Sequence, residues 1–195
     1  PNRDYYFKTD SNSARIRAEY VKYITKLFTL TGVDAASAAK QAGDVLKLET
    51  EIAKSHSTPV ELRDPQANYH KLTLTDFQKQ VPDIDMKNVF DLMGVKTDTL
   101  LVGQPRYSVA LDQLLKSQPI DVWKSELAFT ALNGAAGYLS KAFRDARFDF
   151  FGKTLSGQKE QKERWKTMAP VVDDGIGELL GQLYVKQYFT PDAKK

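Results

Sequence analysis

With 195 residues, 42% hydrophobic and 27% charged, the chain can build one good hydrophobic core or two small ones, and disorder is excluded as its main state. Its 28 basic and 25 acidic side chains are interspersed, leaving a net charge of +3 and no Lys/Arg run of the kind a nucleic-acid-binding face concentrates. The absence of cysteine excludes disulfides and thiolate metal sites.

Residues 1–12 are polar and aromatic without period and read as a lead-in loop. Ser13 is the predicted N-cap of a first helix, in which Ile16, Tyr20, Tyr23, Ile24, Leu27 and Leu30 recur at three- and four-residue steps, and Gly32 suits the position beyond its end. Asp34 should cap a second helix, rich in alanine, whose apolar side runs through Val45, Leu46 and Ile52 with Glu49 as its polar edge. The short link between the two predicts a helical hairpin. Residues 55–72 form the longest irregular stretch, with Pro59 and Pro65 blocking a helix. Thr75 is a fair cap for a short helix through Gln80, and Asp85 for another through Met93 followed by Gly94. Thr99–Val102 is the one strand candidate.

Pro105 suits the first turn of a helix to about Ser117, with Pro119 breaking it. From Asp121 one long helix is expected to run towards Phe151. Its middle, Ala128 to Leu139, is apolar on nearly every side and so belongs at the centre of a bundle, and Gly134 to Gly137 would admit a close helix neighbour. A last helix is expected from about Lys159 to Tyr188, kinked at Pro170. These elements predict an all-α fold: a multi-helix bundle with long kinked helices and at most one short strand segment. The longest weakly polar stretch, Leu127–Leu139, is interrupted by Thr130 and Asn133 and falls short of the roughly 20 apolar residues a membrane span needs. The start at Pro1, without a Met or a signal-like segment, reads as a processed or excised chain.

The search for chemistry yields no complete catalytic, cofactor or metal site. A helical zinc motif needs two His one turn apart, and the two present, His56 and His70, lie fourteen residues apart across prolines. Gly152-Lys153-Thr154 is similar to the end of a phosphate-binding loop, but Arg147 stands where that loop needs its first Gly, so a helix C-terminus is the reading. Asp83 and Asp85 lack the rest of a calcium loop and read as capping residues, and the adjacent Asp173 and Asp174 read as solvated charges. No Gly-x-Ser-x-Gly elbow is present. The aromatic residues Phe143, Phe148, Phe150, Phe151, Trp165, Tyr184, Tyr188 and Phe189 are expected in the core.

Several blocks, in order, carry a resemblance. They are Pro1-Asn2-Arg3-Asp4-Tyr5-Tyr6, then Leu48-Glu49-Thr50-Glu51-Ile52-Ala53, then Arg63-Asp64-Pro65 with Tyr69-His70-Lys71-Leu72-Thr73. Further on come Phe143, Arg147, Phe148, Leu155 and Gly157 leading to Arg164-Trp165, and finally Gly181-Gln182-Leu183-Tyr184-Val185 with Phe189. Together they resemble the N-terminal region of neprilysin-like (peptidase family M13) zinc endopeptidases, with His70 and Leu72 departing from the usual Asn and Met. The resemblance implies a large two-lobed enzyme. One lobe holds zinc through His-Glu-x-x-His and a downstream Glu, and a helical lobe covers the active site and admits peptides but not folded proteins.

On this reading residues 1–195 are a single helical lid domain whose partners are the catalytic lobe of the same polypeptide and peptide substrates. Zinc belongs to that implied lobe, and the catalytic, cofactor-binding and metal residues carried over to this chain are none. The chain alone should lack peptidase activity, and an apolar patch should lie bare where the other lobe packs. A freestanding helical module binding proteins or peptides is the alternative. The lack of Cys and of Asn-x-Ser/Thr sequons, taken with the resemblance, points towards a periplasmic or cell-envelope bacterial protein.

Overall fold

In the computed structural model, which describes residues 3–194, the first long helix begins where an acid can hold its free N–H groups. Asp10 is that residue. Its carboxylate accepts from the Ser13 backbone N–H at 2.9 Å and from the Ser13 hydroxyl at 2.7 Å, so α2 (Ser11–Leu30) starts earlier than the expected Ser13 cap. A short helix α1 (Asp4–Phe7) occupies the expected lead-in loop, of which residues 1 and 2 lie outside the described residues. Gly32 takes φ +93°, a conformation an L side chain adopts only with strain, and turns the chain into α3 (Ala35–Ser55), whose cap Asp34 accepts from Ala36 and Ser37 N–H.

A small satellite follows. The β1 strand (Lys71–Thr73) pairs antiparallel with β2 (Thr99–Leu101), Leu72 opposite Leu100, so the strand candidate finds its partner at the end of a stretch expected to be irregular. Between them lie α4 (Leu74–Gln80), capped by Thr73 and not by Thr75, and α5 (Met86–Leu92), capped by Asp85. Phe77, Val81 and Val102 form the core of this unit. It is tied to α6 (Pro105–Ser117) by buried Asp112, which accepts from the Asp83 N–H at 2.8 Å.

The single long helix expected from Asp121 is interrupted. Helix α7 (Ile120–Ala135) ends in turns over 136–140, α8 (Lys141–Arg147) restarts after an extended Ser140, and the chain continues as a π-helical segment, Phe148–Leu155. Gly134 lies just before the break and Gly137 within it, and glycine is among the poorest helix formers. The π segment depends on Gly152, where an added Cβ would lie 2.3 Å from the Phe148 ring. Helices α2, α3, α7, α8 and this segment enclose the main core, in which Tyr23 stacks on Phe150 with centroids 5.4 Å apart.

Four expectations fail here. Helix α7 is not central: Phe129 and Ser125 are buried, whereas Leu127 is 68% exposed and Tyr138, just beyond it, 56%. Nor does a helix close on Gly134, where a Cβ would meet nothing within 4 Å. The last helix, α9 (Arg164–Tyr188), begins later than Lys159, and its backbone leaves helical geometry at Ile176 (φ −135°, ψ 19°), not at Pro170. A β-branched residue between Gly175 and Gly177 makes that stretch a poor helix former.

Candidate functional site

One partly buried polar cluster joins four elements. Glu49 on α3 accepts hydrogen bonds from the Tyr20 hydroxyl on α2 at 2.8 Å and the Tyr6 hydroxyl on α1 at 3.2 Å. Burial raises the Glu49 carboxyl above its usual range, and the two hydroxyl bonds pull it back only in part. Glu126 on α7 lies close enough to feel that charge. Burial first, then the charge of Glu49, pushes its carboxyl up to about 7, against a weak bond from the Thr130 hydroxyl at 3.4 Å. Its Oε2 is buried and accepts no hydrogen bond. Both tyrosine hydroxyls are held protonated by burial and by Glu49.

Among the described residues neither carboxyl forms a salt bridge with Lys or Arg. Glu49 and the aromatic rings of Tyr20, Phe129 and Phe150 border a cavity of about 380 Å³. The two carboxyls repel each other's ionisation across the contact of α3 with α7. Sequence reading treats Glu49 as the polar edge of an apolar helix side and passes over Glu126. The two are far apart in sequence, and only the packing of α3 on α7 brings them together.

The residues singled out from sequence fall elsewhere. His56 packs on the Tyr107 ring with centroids 4.8 Å apart, and burial holds its imidazole below the usual value. His70 precedes β1, half-buried, with Nδ1 unpartnered. Among the described residues no three His, Asp or Glu side chains gather as a group that could hold a metal ion. Gly152-Lys153-Thr154 sits in the last turns of the π segment, with Lys153 paired to Asp149 at 2.7 Å. Asp85 caps α5, and Asp83 reaches Lys116 at 3.3 Å instead of capping. Asp173 and Asp174 are exposed on α9.

The aromatic set divides. Phe150 is buried and Phe143 and Phe151 pack against the core, but Trp165, Tyr184, Tyr188 and Phe189 are exposed, contrary to expectation. They belong to an unusual surface, for α9 buries none of its 25 residues. Val172 and Ile176, up to the break, and Leu179 and Leu183, beyond it, have exposures of 52%, 46%, 60% and 63%.

A family model described as Peptidase family M13 matches residues 1–195. The chain is 26% identical over 210 residues to Membrane metallo-endopeptidase-like 1 of Mus musculus and 26% identical over 206 residues to Neprilysin-3 of Drosophila melanogaster. Each match covers 100% of this chain but only 27% and 26% of those proteins. Among solved structures, the zinc metalloprotease ZMP1 of Mycobacterium tuberculosis in its open state is similar, with a TM-score of 0.91 and 30% identity over 100% of this chain and 30% of that one. PEPO from Lactobacillus rhamnosis shares the fold at a TM-score of 0.84 and 18% identity, over 98% of this chain and 30% of that one. The chain therefore spans about a quarter to a third of the length of these proteins.

Proposed function

Because the chain belongs to peptidase family M13 over its whole length, we propose that residues 1–195 form one helical lid domain of a two-lobed zinc metalloendopeptidase. The catalytic lobe is then a further part of the same polypeptide, and it supplies the zinc-binding residues. The donors here do not suit that metal, so no step of hydrolysis is assigned to this chain. The observation that carries the reading is the set of exposed apolar side chains on α9, a helix with no fully buried residue in this domain, which supports a partner surface elsewhere.

The lid acts on access. Enclosing peptide and catalytic groups in a water-poor cavity strengthens the electrostatic stabilisation of the developing oxyanion, and cavity size admits peptides while folded proteins stay outside. Opening and closing then gate uptake and release. The related Mycobacterium tuberculosis enzyme has been solved in open and partially open states, which supports such motion.

The test compares the 195-residue chain with the longer polypeptide on an internally quenched peptide, with added zinc. Turnover is expected from the longer polypeptide alone. There, Leu179→Asp with Leu183→Asp should lower turnover by disturbing the interface, while leaving the melting of the short chain nearly unchanged. Zinc-dependent cleavage by the short chain would sink the proposal.

A further inference from the structure

Alongside the turns after α7, between α8, the π segment and the first half of α9, lies a cavity of about 500 Å³ with one-sided charge. Arg144, Arg147 and Lys162 line it, and no Asp or Glu does. The two arginines stand three residues apart on α8 and so share a face. Arg147 lies over the Phe151 ring, Cζ 4.6 Å from the centroid, and its Nη1 is 3.5 Å from Asn133 Oδ1. Arg144 Nε is buried and donates to nothing.

The nearby acids are already engaged. Asp145 binds Lys141 at 2.5 Å, Asp149 binds Lys153 at 2.7 Å, and Glu163 binds both Lys166 at 3.2 Å and the Trp165 indole N–H at 2.9 Å. Among the described residues none of the three lining cations forms a salt bridge.

A guanidinium partly withdrawn from water with an unmet donor is costly, and a carboxylate restores the bond with charge assistance. We infer that this cavity is a carboxylate-binding site that takes an Asp or Glu side chain of a partner peptide. A guanidinium fork pairs with a planar carboxylate, Arg144 with its unmet donor being the first candidate and Arg147 adding charge beside it, and Phe148 and Val171 offer apolar wall for the aliphatic stem. A polyphosphate or nucleic acid would need a broader basic surface, and Lys162 alone extends this one.

The test uses the 195-residue chain and fluorescent peptides, N-acetylated and C-amidated, that differ only by Glu or Gln at the centre. By anisotropy at low salt the Glu peptide should bind at least ~10-fold more tightly. The double variant R144Q/R147Q should reduce the preference to within about twofold. R144K/R147K keeps the charge but loses the forks and should fall between. Circular dichroism must show all three proteins equally folded, and if the glutamine variant is not, the lysine variant decides. Equal behaviour of the two peptides, including failure of both to bind, overturns the inference. So does a preference that survives in a folded R144Q/R147Q, or inorganic phosphate competing as strongly as the Glu peptide. None of these outcomes depends on peptidase activity.

Discussion

Replacing Glu126 by Gln should make the domain more stable at pH 8 and leave it unchanged at pH 4. The carboxyl moves from 4.5 to about 7 in the folded chain, because burial and the charge of Glu49 both oppose its ionisation. A folded-state value above the unfolded one means that stability is fully present below pH 4.5 and is lost as pH rises through about 7. The ceiling on that loss is ~3.4 kcal/mol, and since the side chain keeps part of its surface in water, about 1–2 kcal/mol is the realistic size. Glutamine keeps the shape and the acceptor for Thr130 while removing the ionisation. Urea unfolding of both proteins from pH 4 to 8 measures the effect. Wild type should lose that amount relative to the variant between pH 5 and 8. Parallel stability profiles for the two proteins would refute the reasoning.

Further outcomes follow from packing. Tyr20→Phe removes the shorter of the two hydroxyl bonds to Glu49 and should cost about 1.5–3 kcal/mol by chemical denaturation. Phe150→Ala, at the aromatic centre of the core, should cost about 3–5 kcal/mol and could leave the chain unfolded at 37 °C. Gly152→Ala must displace the Phe148 ring and should lower stability by about 1–3 kcal/mol, read as a drop in melting temperature. Leu183→Gln on the bare face of α9 should stay within about 0.5 kcal/mol of wild type in this chain.

Local signals were legible where the physics is local. Asp34, Asp85 and Pro105 mark helix starts because a cap or an N1 proline acts on the next few residues. Ser13 misled because Asp10, three residues earlier, binds both its N–H and its hydroxyl. The apolar run at 128–139 points to a central helix because composition cannot say whether an apolar face meets its own domain or another surface. The exposed aromatic residues of α9 misled for the same reason. The Glu49–Glu126 pair was invisible in sequence, since each residue alone looks like an ordinary helix-surface acid. The family resemblance, spread over blocks from the first residues to Phe189, stood apart from these local readings, and the family match covers the same span.

The central claim is that this chain is the helical part of a larger zinc peptidase. Its most direct test is the size and zinc content of the native polypeptide that carries the sequence, purified from its source. The account predicts a polypeptide far longer than 195 residues that holds zinc in roughly equimolar amount, with the metal retained when His56 and His70 are replaced by Ala. A native polypeptide no longer than this chain, or zinc lost with those two histidines, would contradict it.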